Sequence, residues 1–131
     1  MTAEVCWTAA ERFEGHASSR HHITIDAGSE KTANSPMELV LLGLCGCTAS
    51  DVVSILTKKR QSFSLLTVAA ISERAPEPPR VFRSIHLTYR VSATVDQKAM
   101  EDAVRLSKEK YCSVSAMLQK VAKITFTVEY V

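Results

Sequence analysis

The chain has 131 residues, 46% of them hydrophobic and 23% charged, with a formal net charge of +2. That length and composition predict one globular domain, residues 1–131, with a real hydrophobic core, and they speak against a disordered chain. The charge is too small, and the basic residues too scattered, to predict a nucleic-acid or membrane partner.

The opening MTAEVCWTAAERFEG lacks a basic n-region and an apolar h-region. No run reaches the ~20 apolar residues of a membrane span, so a cytoplasmic location is expected. There the four cysteines stay reduced at rest, which favours catalytic or redox-responsive chemistry over structural disulfides. Val5, Trp7 and Ala9 alternate with Cys6 and Thr8, predicting a strand with Cys6 on its second face and no reactive role for it. His21 to Asp26 reads as another strand, closed by the turn residues Ala27-Gly28-Ser29. Adjacent residues on a strand point to opposite faces, so His21 and His22 are poor co-ligands and no metal site is expected there.

Ser35 to Arg60 is the dominant feature. Ser35 as N-cap, Pro36 at the first helical position and Glu38 three residues after Ser35 have the spacing of a capping box. Lys58, Lys59 and Arg60 suit the negative end of the helix dipole. Leu39 to Leu44 is apolar on every side, which predicts an enclosed helix. At ~1.5 Å per residue it would run roughly 35 Å, more than one small chain can cover, so a second subunit is expected. Cys45 and Cys47 lie about 200° apart on such a helix and cannot pair within it. Cys45 shares its face with Leu41, Leu42, Ala49 and Val52, as an inert core residue does. Cys47 shares its face with Gly43, Ser50, Asp51 and Ser54, and an ionised Asp51 there would raise its pKa unless a cation intervenes. Gly43 and Gly46 each cost roughly 1 kcal/mol against alanine in a helix interior, which implies that a neighbouring helix or a ligand uses the space.

Leu65 to Ser72 is β-prone, and the segment from Glu73 to Pro79, with Pro76, Pro78 and Pro79, reads as a charged connection. Val81 to Val91 alternates, with Val81, Arg83, Ile85, Leu87, Tyr89 and Val91 on one face and Phe82, Ser84, His86, Thr88 and Arg90 on the other; His86 is expected to be solvated or hydrogen-bonded. Asp96 can cap a half-exposed helix with Met100, Ala103, Val104 and Ser107 on one side, ending near Lys108-Glu109-Lys110. Cys112 then opens a short helix whose apolar side carries Val114, Met117, Leu118 and Val121; the positive end of that helix favours a thiolate, the alternative being a buried cap residue. Ile124, Phe126, Val128 and Tyr130 alternate on a last strand. The layout is α+β.

SPMELVLLGLCGCTASDVV, followed about 65 residues on by LSKEKYCSVSAML, resembles the OsmC/Ohr family of osmotically inducible and organic hydroperoxide resistance proteins. The resemblance lies in a proline-led helix with a mid-helix cysteine and a later Cys-Ser-Val step opening a helix. It implies an intertwined homodimer with antiparallel sheets wrapped around two long central helices. It also implies reduction of organic hydroperoxides, with Cys47 as peroxidatic and Cys112 as resolving cysteine, reset by a dithiol reductant and without a cofactor or metal. The chain departs from the hydroperoxide-reducing pattern at Met37, where those members carry an acid, and neither Arg12 nor Arg20 sits in a motif matching their N-terminal arginine. The competing readings are a dimeric redox-sensing or ligand-binding module of the same fold and, third, a metal site from Cys45, Cys47 and Cys112, which the divergence of Cys-x-Cys on a helix disfavours.

Overall fold

The capping box expected at Ser35 forms: the Ser35 amide donates to Glu38 Oε1 at 3.0 Å and the Glu38 amide donates to Ser35 Oγ at 3.3 Å. It starts helix α1, Pro36–Lys58, in a computed structural model that describes residues 1–131. The helix stops where Arg60 turns left-handed, at φ 56°. Its amide donates to Thr57 O and the Gln61 amide donates to Leu56 O, the two bonds of a Schellman ending. Only Leu44, Thr48, Val52 and Leu56 of α1 are buried. Their i, i+4 spacing makes one stripe, so the enclosure expected from the all-round apolar sequence is absent within one chain: Leu42 is 54% and Val53 41% exposed. Gly43 and Gly46 face open space, with no atom within 4 Å of a Cβ built on either. By length and composition alone α1 could also cross a membrane, which the residue count above did not anticipate.

The backbone forms two compact units, Met1–Leu42 and Gly43–Val131. The first holds an antiparallel meander of β1 (Ala3–Ala9), β2 (Arg12–Ala17) and β3 (His22–Asp26). Strand β2 was not expected, because Arg12-Phe13-Glu14-Gly15-His16 alternates poorly; pairing on both edges holds it. Val5, Ile23 and Ile25 pack over Gly15, each 3.4–3.5 Å from where a Cβ would lie, an ordinary contact distance. After β3, the buried Asp26 carboxylate accepts from the Gly28 amide and from the Thr32 amide and hydroxyl, fixing the turn. Those bonds, Thr32's first, hold its carboxyl below the usual range.

The second unit is built on β4 (Leu66–Arg74), β5 (Phe82–Val91) and β6 (Lys123–Tyr130), with β5 central. β4 joins β5 antiparallel and β6 joins it parallel. A parallel neighbour requires a long crossover, supplied by α2 (Gln97–Leu106), a π-helical turn (Ser107–Tyr111) and α3 (Ser113–Leu118). Ile85, Leu87, Tyr89 and Val91 are buried as their alternation implies. The start of β5 is out of phase with that expectation: Phe82 is buried and Arg83 exposed. The register slips there, Glu73 pairing with Ser84 but Arg74 with Phe82, and such a bulge reverses the faces beyond it. His86 bonds Thr125 Oγ1 at 2.7 Å and Thr127 Oγ1 at 3.2 Å, a hydrogen-bonded histidine as expected.

Asp96 caps α2 by accepting from the Ala99 amide at 2.9 Å, and Ala99, Met100, Ala103 and Val104 form its buried side. α3 differs from expectation. It ends at Leu118, and Met117 and Val121 are 64% and 61% exposed, whereas Cys112 and Ser115 are buried at 3% each. The inward face of so short a helix is the one carrying its cap residue, not its apolar stripe.

Candidate functional site

The i, i+4 spacing of α1 puts Cys47 and Asp51 on one side of the helix, and the N-cap position of α3 brings Cys112 to them. The Cys47 and Cys112 sulfurs and an Asp51 carboxylate oxygen all lie within 4.8 Å of one another. Cys45, on the opposite face of α1, is half-buried and apart from this cluster, and burial raises its pKa. Cys6 is exposed on β1.

A polar chain that the sequence did not reveal runs behind the cluster. Tyr89 Oη and Thr48 Oγ1 share a hydrogen bond of 2.7 Å, Thr48 Oγ1 and Ser107 Oγ one of 2.8 Å, and Ser107 Oγ donates to Asp51 Oδ2 at 2.8 Å. Tyr89 and Ser107 are buried to 1% and 0% exposure, so each hydroxyl needs a partner, and burial first of all pushes the Tyr89 phenol up to about 12. The one available signal was a serine in line with the apolar positions of α2, one residue beyond its end. The π-helical turn makes this placement possible: the Cys112 amide donates to Ser107 O at 2.8 Å, and the wider i, i+5 loop carries Ser107 toward Asp51 while setting Cys112 at the start of α3.

The thiolate expected at Cys112 does not prevail. The Ser115 amide does donate to its sulfur at 3.3 Å, but burial dominates, and with Cys47 and Asp51 close by the thiol is pushed up to about 11. A cysteine that keeps its proton longer when folded stabilises the native state below the unfolded pKa of about 8.5, and this contribution disappears as pH rises through the folded value. We therefore expect reduced protein to lose stability through this group as pH rises from 8 to 11. Urea midpoints across that range should fall more steeply for wild type than for Cys112→Ala; parallel slopes would refute the assignment.

The other charged residues singled out in the sequence have local partners. Glu38 is occupied by the capping box and lies 3.7 Å from Lys31 Nζ. Arg12 lies near enough to Asp26 to help lower its pKa, and Arg20 occupies a turn at φ 66°. A groove of about 330 Å³ lined by Asp51, Ser54, Ile55, Lys58, Lys59, Leu106 and Tyr111 opens beside the cluster.

Residues 27–127 match the family described as OsmC-like protein. Protein YhfA of Escherichia coli K12 is 45% identical over all of this chain and 98% of its own length. The chain belongs to the OsmC-like family. A crystal structure of a hypothetical protein from Aquifex aeolicus VF5 is 32% identical, covers 99% of this chain and 96% of its own, and superposes with a TM-score of 0.86. An organic hydroperoxide resistance protein OsmC, described as a predicted redox protein, from Legionella pneumophila shares the OsmC-like fold at a TM-score of 0.74, with 16% identity over 98% of this chain and 95% of its own.

Proposed function

We propose that this OsmC-like protein is a thiol-dependent reductase of organic hydroperoxides that acts in the cytoplasm as a homodimer of one-domain chains, in oxidative-stress defence. The observation that carries the reading is the approach of the Cys47 and Cys112 sulfurs within 4.8 Å in a chain of this family. The fold it shares with the Legionella hydroperoxide resistance protein supports it further. The Cys47 thiolate attacks the O–O bond, which breaks to leave a Cys47 sulfenic acid and, with one proton taken up, an alcohol. The Cys112 sulfur then attacks the sulfenic sulfur. The S–O bond breaks, water leaves with the Cys112 proton, and a Cys47–Cys112 disulfide remains. An external dithiol supplies the two electrons that restore both thiols. Burial raises the Cys112 pKa, so its attack on the sulfenic sulfur should quicken as pH rises.

Stoichiometric organic hydroperoxide should convert the reduced protein to an intramolecular Cys47–Cys112 disulfide in peptide maps. Cys112→Ser should stop at a Cys47 sulfenic acid and then over-oxidise, and a dithiol reductant should support turnover. If Cys6 or Cys45 reacts first while Cys47 stays a thiol, the assignment is wrong. The second reading, a redox-sensing or ligand-binding module with little turnover, is favoured by one observation: Asp51, an acid beside both thiols, forms no ion pair. Disulfide formation without catalytic turnover would select it.

A further inference from the structure

Asp51 is poorly placed for a thiolate nucleophile. Its carboxylate lies within 4.8 Å of both sulfurs, none of the chain's ion pairs neutralises it, and yet the buried Tyr89–Thr48–Ser107 chain holds it in place. Three groups that repel one another as anions are held together when a cation joins them. We propose that Cys47, Asp51 and Cys112 form a binding site for a zinc-class divalent cation, with Ser107 orienting the Asp51 ligand and a fourth position left to water. Two thiolates and a carboxylate are a donor set that such an ion takes, and three protein ligands plus an open position is a recurrent arrangement for it. The objection to a metal at Cys45, Cys47 and Cys112 was that Cys-x-Cys diverges on a helix; with Asp51 in place of Cys45 the two α1 ligands are i, i+4 and converge.

The geometry is close to what coordination needs. An ion with ~2.3 Å bonds in tetrahedral geometry holds its ligand atoms roughly 3.8 Å apart, so separations of up to 4.8 Å close with about an ångström of side-chain movement. Ser107 donating to the ligand carboxylate is the outer-shell contact that orients metal ligands elsewhere. The groove lined by Asp51 and Tyr111 offers access from solvent. Next to this cluster, the Ser115 amide donates to Cys112 Sγ, and the Ser115 hydroxyl, 3% exposed, is a buried side-chain oxygen without a partner. Binding takes one proton from each thiol and releases both to solvent, so affinity should rise with pH. A bound ion would also occupy both sulfurs and shield them from oxidation, which joins this site to the redox reading without depending on it.

The test is titration of the reduced full chain with Co2+ as a spectroscopic probe, followed by displacement with Zn2+. One Co2+ per chain should bind with a near-ultraviolet thiolate-to-cobalt band and be displaced by one Zn2+. Cys47→Ser and Cys112→Ser should lose most of that band. Asp51→Asn should weaken Zn2+ binding by at least about 10-fold, and Ser107→Ala, which retains all three ligands, by about 10-fold; Cys6→Ser should bind like wild type. Circular dichroism checks that each variant folds, and if Asp51→Asn does not, Asp51→Glu and Ser107→Ala carry the test, the former expected to bind and the latter to weaken. Absence of a thiolate band at one equivalent, or unaltered affinity in the Asp51 and Ser107 variants, overturns the site. Peroxide mapping in chelator-treated buffer reads the disulfide separately, so failure of the metal site and failure of the redox pair are distinguishable.

Discussion

Leu44→Ala is expected to destabilise the protein by about 2–5 kcal/mol, a large part of the 5–15 kcal/mol that holds an ordinary domain together. Leu44 is 0% exposed and opens the only buried stripe of α1, followed at i+4 intervals by Thr48, Val52 and Leu56. Truncation removes its apolar transfer energy and leaves a cavity, because one turn later Thr48 is tied to Tyr89 and Ser107 and cannot collapse inward. Thr57→Ala, on an exposed position of the same helix, should stay within about 0.5 kcal/mol. Urea denaturation of reduced protein at one fixed concentration compares them. Equal losses in the two variants would mean that the buried stripe is not what anchors the helix.

Leu42→Glu should turn the proposed homodimer into a monomer. On a helical projection Leu42, Gly46 and Val53 lie within about 40° of one another, outside the buried stripe. Leu42 and Val53 are 54% and 41% exposed, and Gly46 has nothing near it. An apolar strip with a glycine at its middle is suited to close approach of a second helix. A glutamate there would bury an unpaired charge in each copy, costing at least about 3 kcal/mol, or about 100-fold in dissociation constant. Light scattering at micromolar concentration should report twice the chain mass for wild type and a single chain mass for the variant. A monomeric wild type, or a variant that keeps the doubled mass, would reject the arrangement.

The local sequence determined more of the chain than its weak periodicity elsewhere would suggest. Ser35, Pro36 and Glu38 specify the start of α1 because a capping box needs only three residues and their own backbone. Asp96 specifies the start of α2 in the same way, and alternation finds β1, β3, β5 and β6 because one face of each strand is apolar. The same helical arithmetic separates Cys45 from Cys47 and puts Asp51 on the Cys47 side. What lay beyond it depends on contacts between residues distant in the chain. β2 exists because two neighbours pair with it, and a single bulge at Arg83 reverses the start of β5. Burial outweighs the helix end at Cys112, since removing a thiolate from water costs more than one amide donor at 3.3 Å returns. The joining of Cys47, Asp51 and Cys112, and of the hydroxyl chain behind them, is decided by the π-helical turn and the parallel crossover; both are set by packing against α1 and β5, whose partners lie 41 and 59 residues apart in the Thr48–Tyr89 and Thr48–Ser107 bonds.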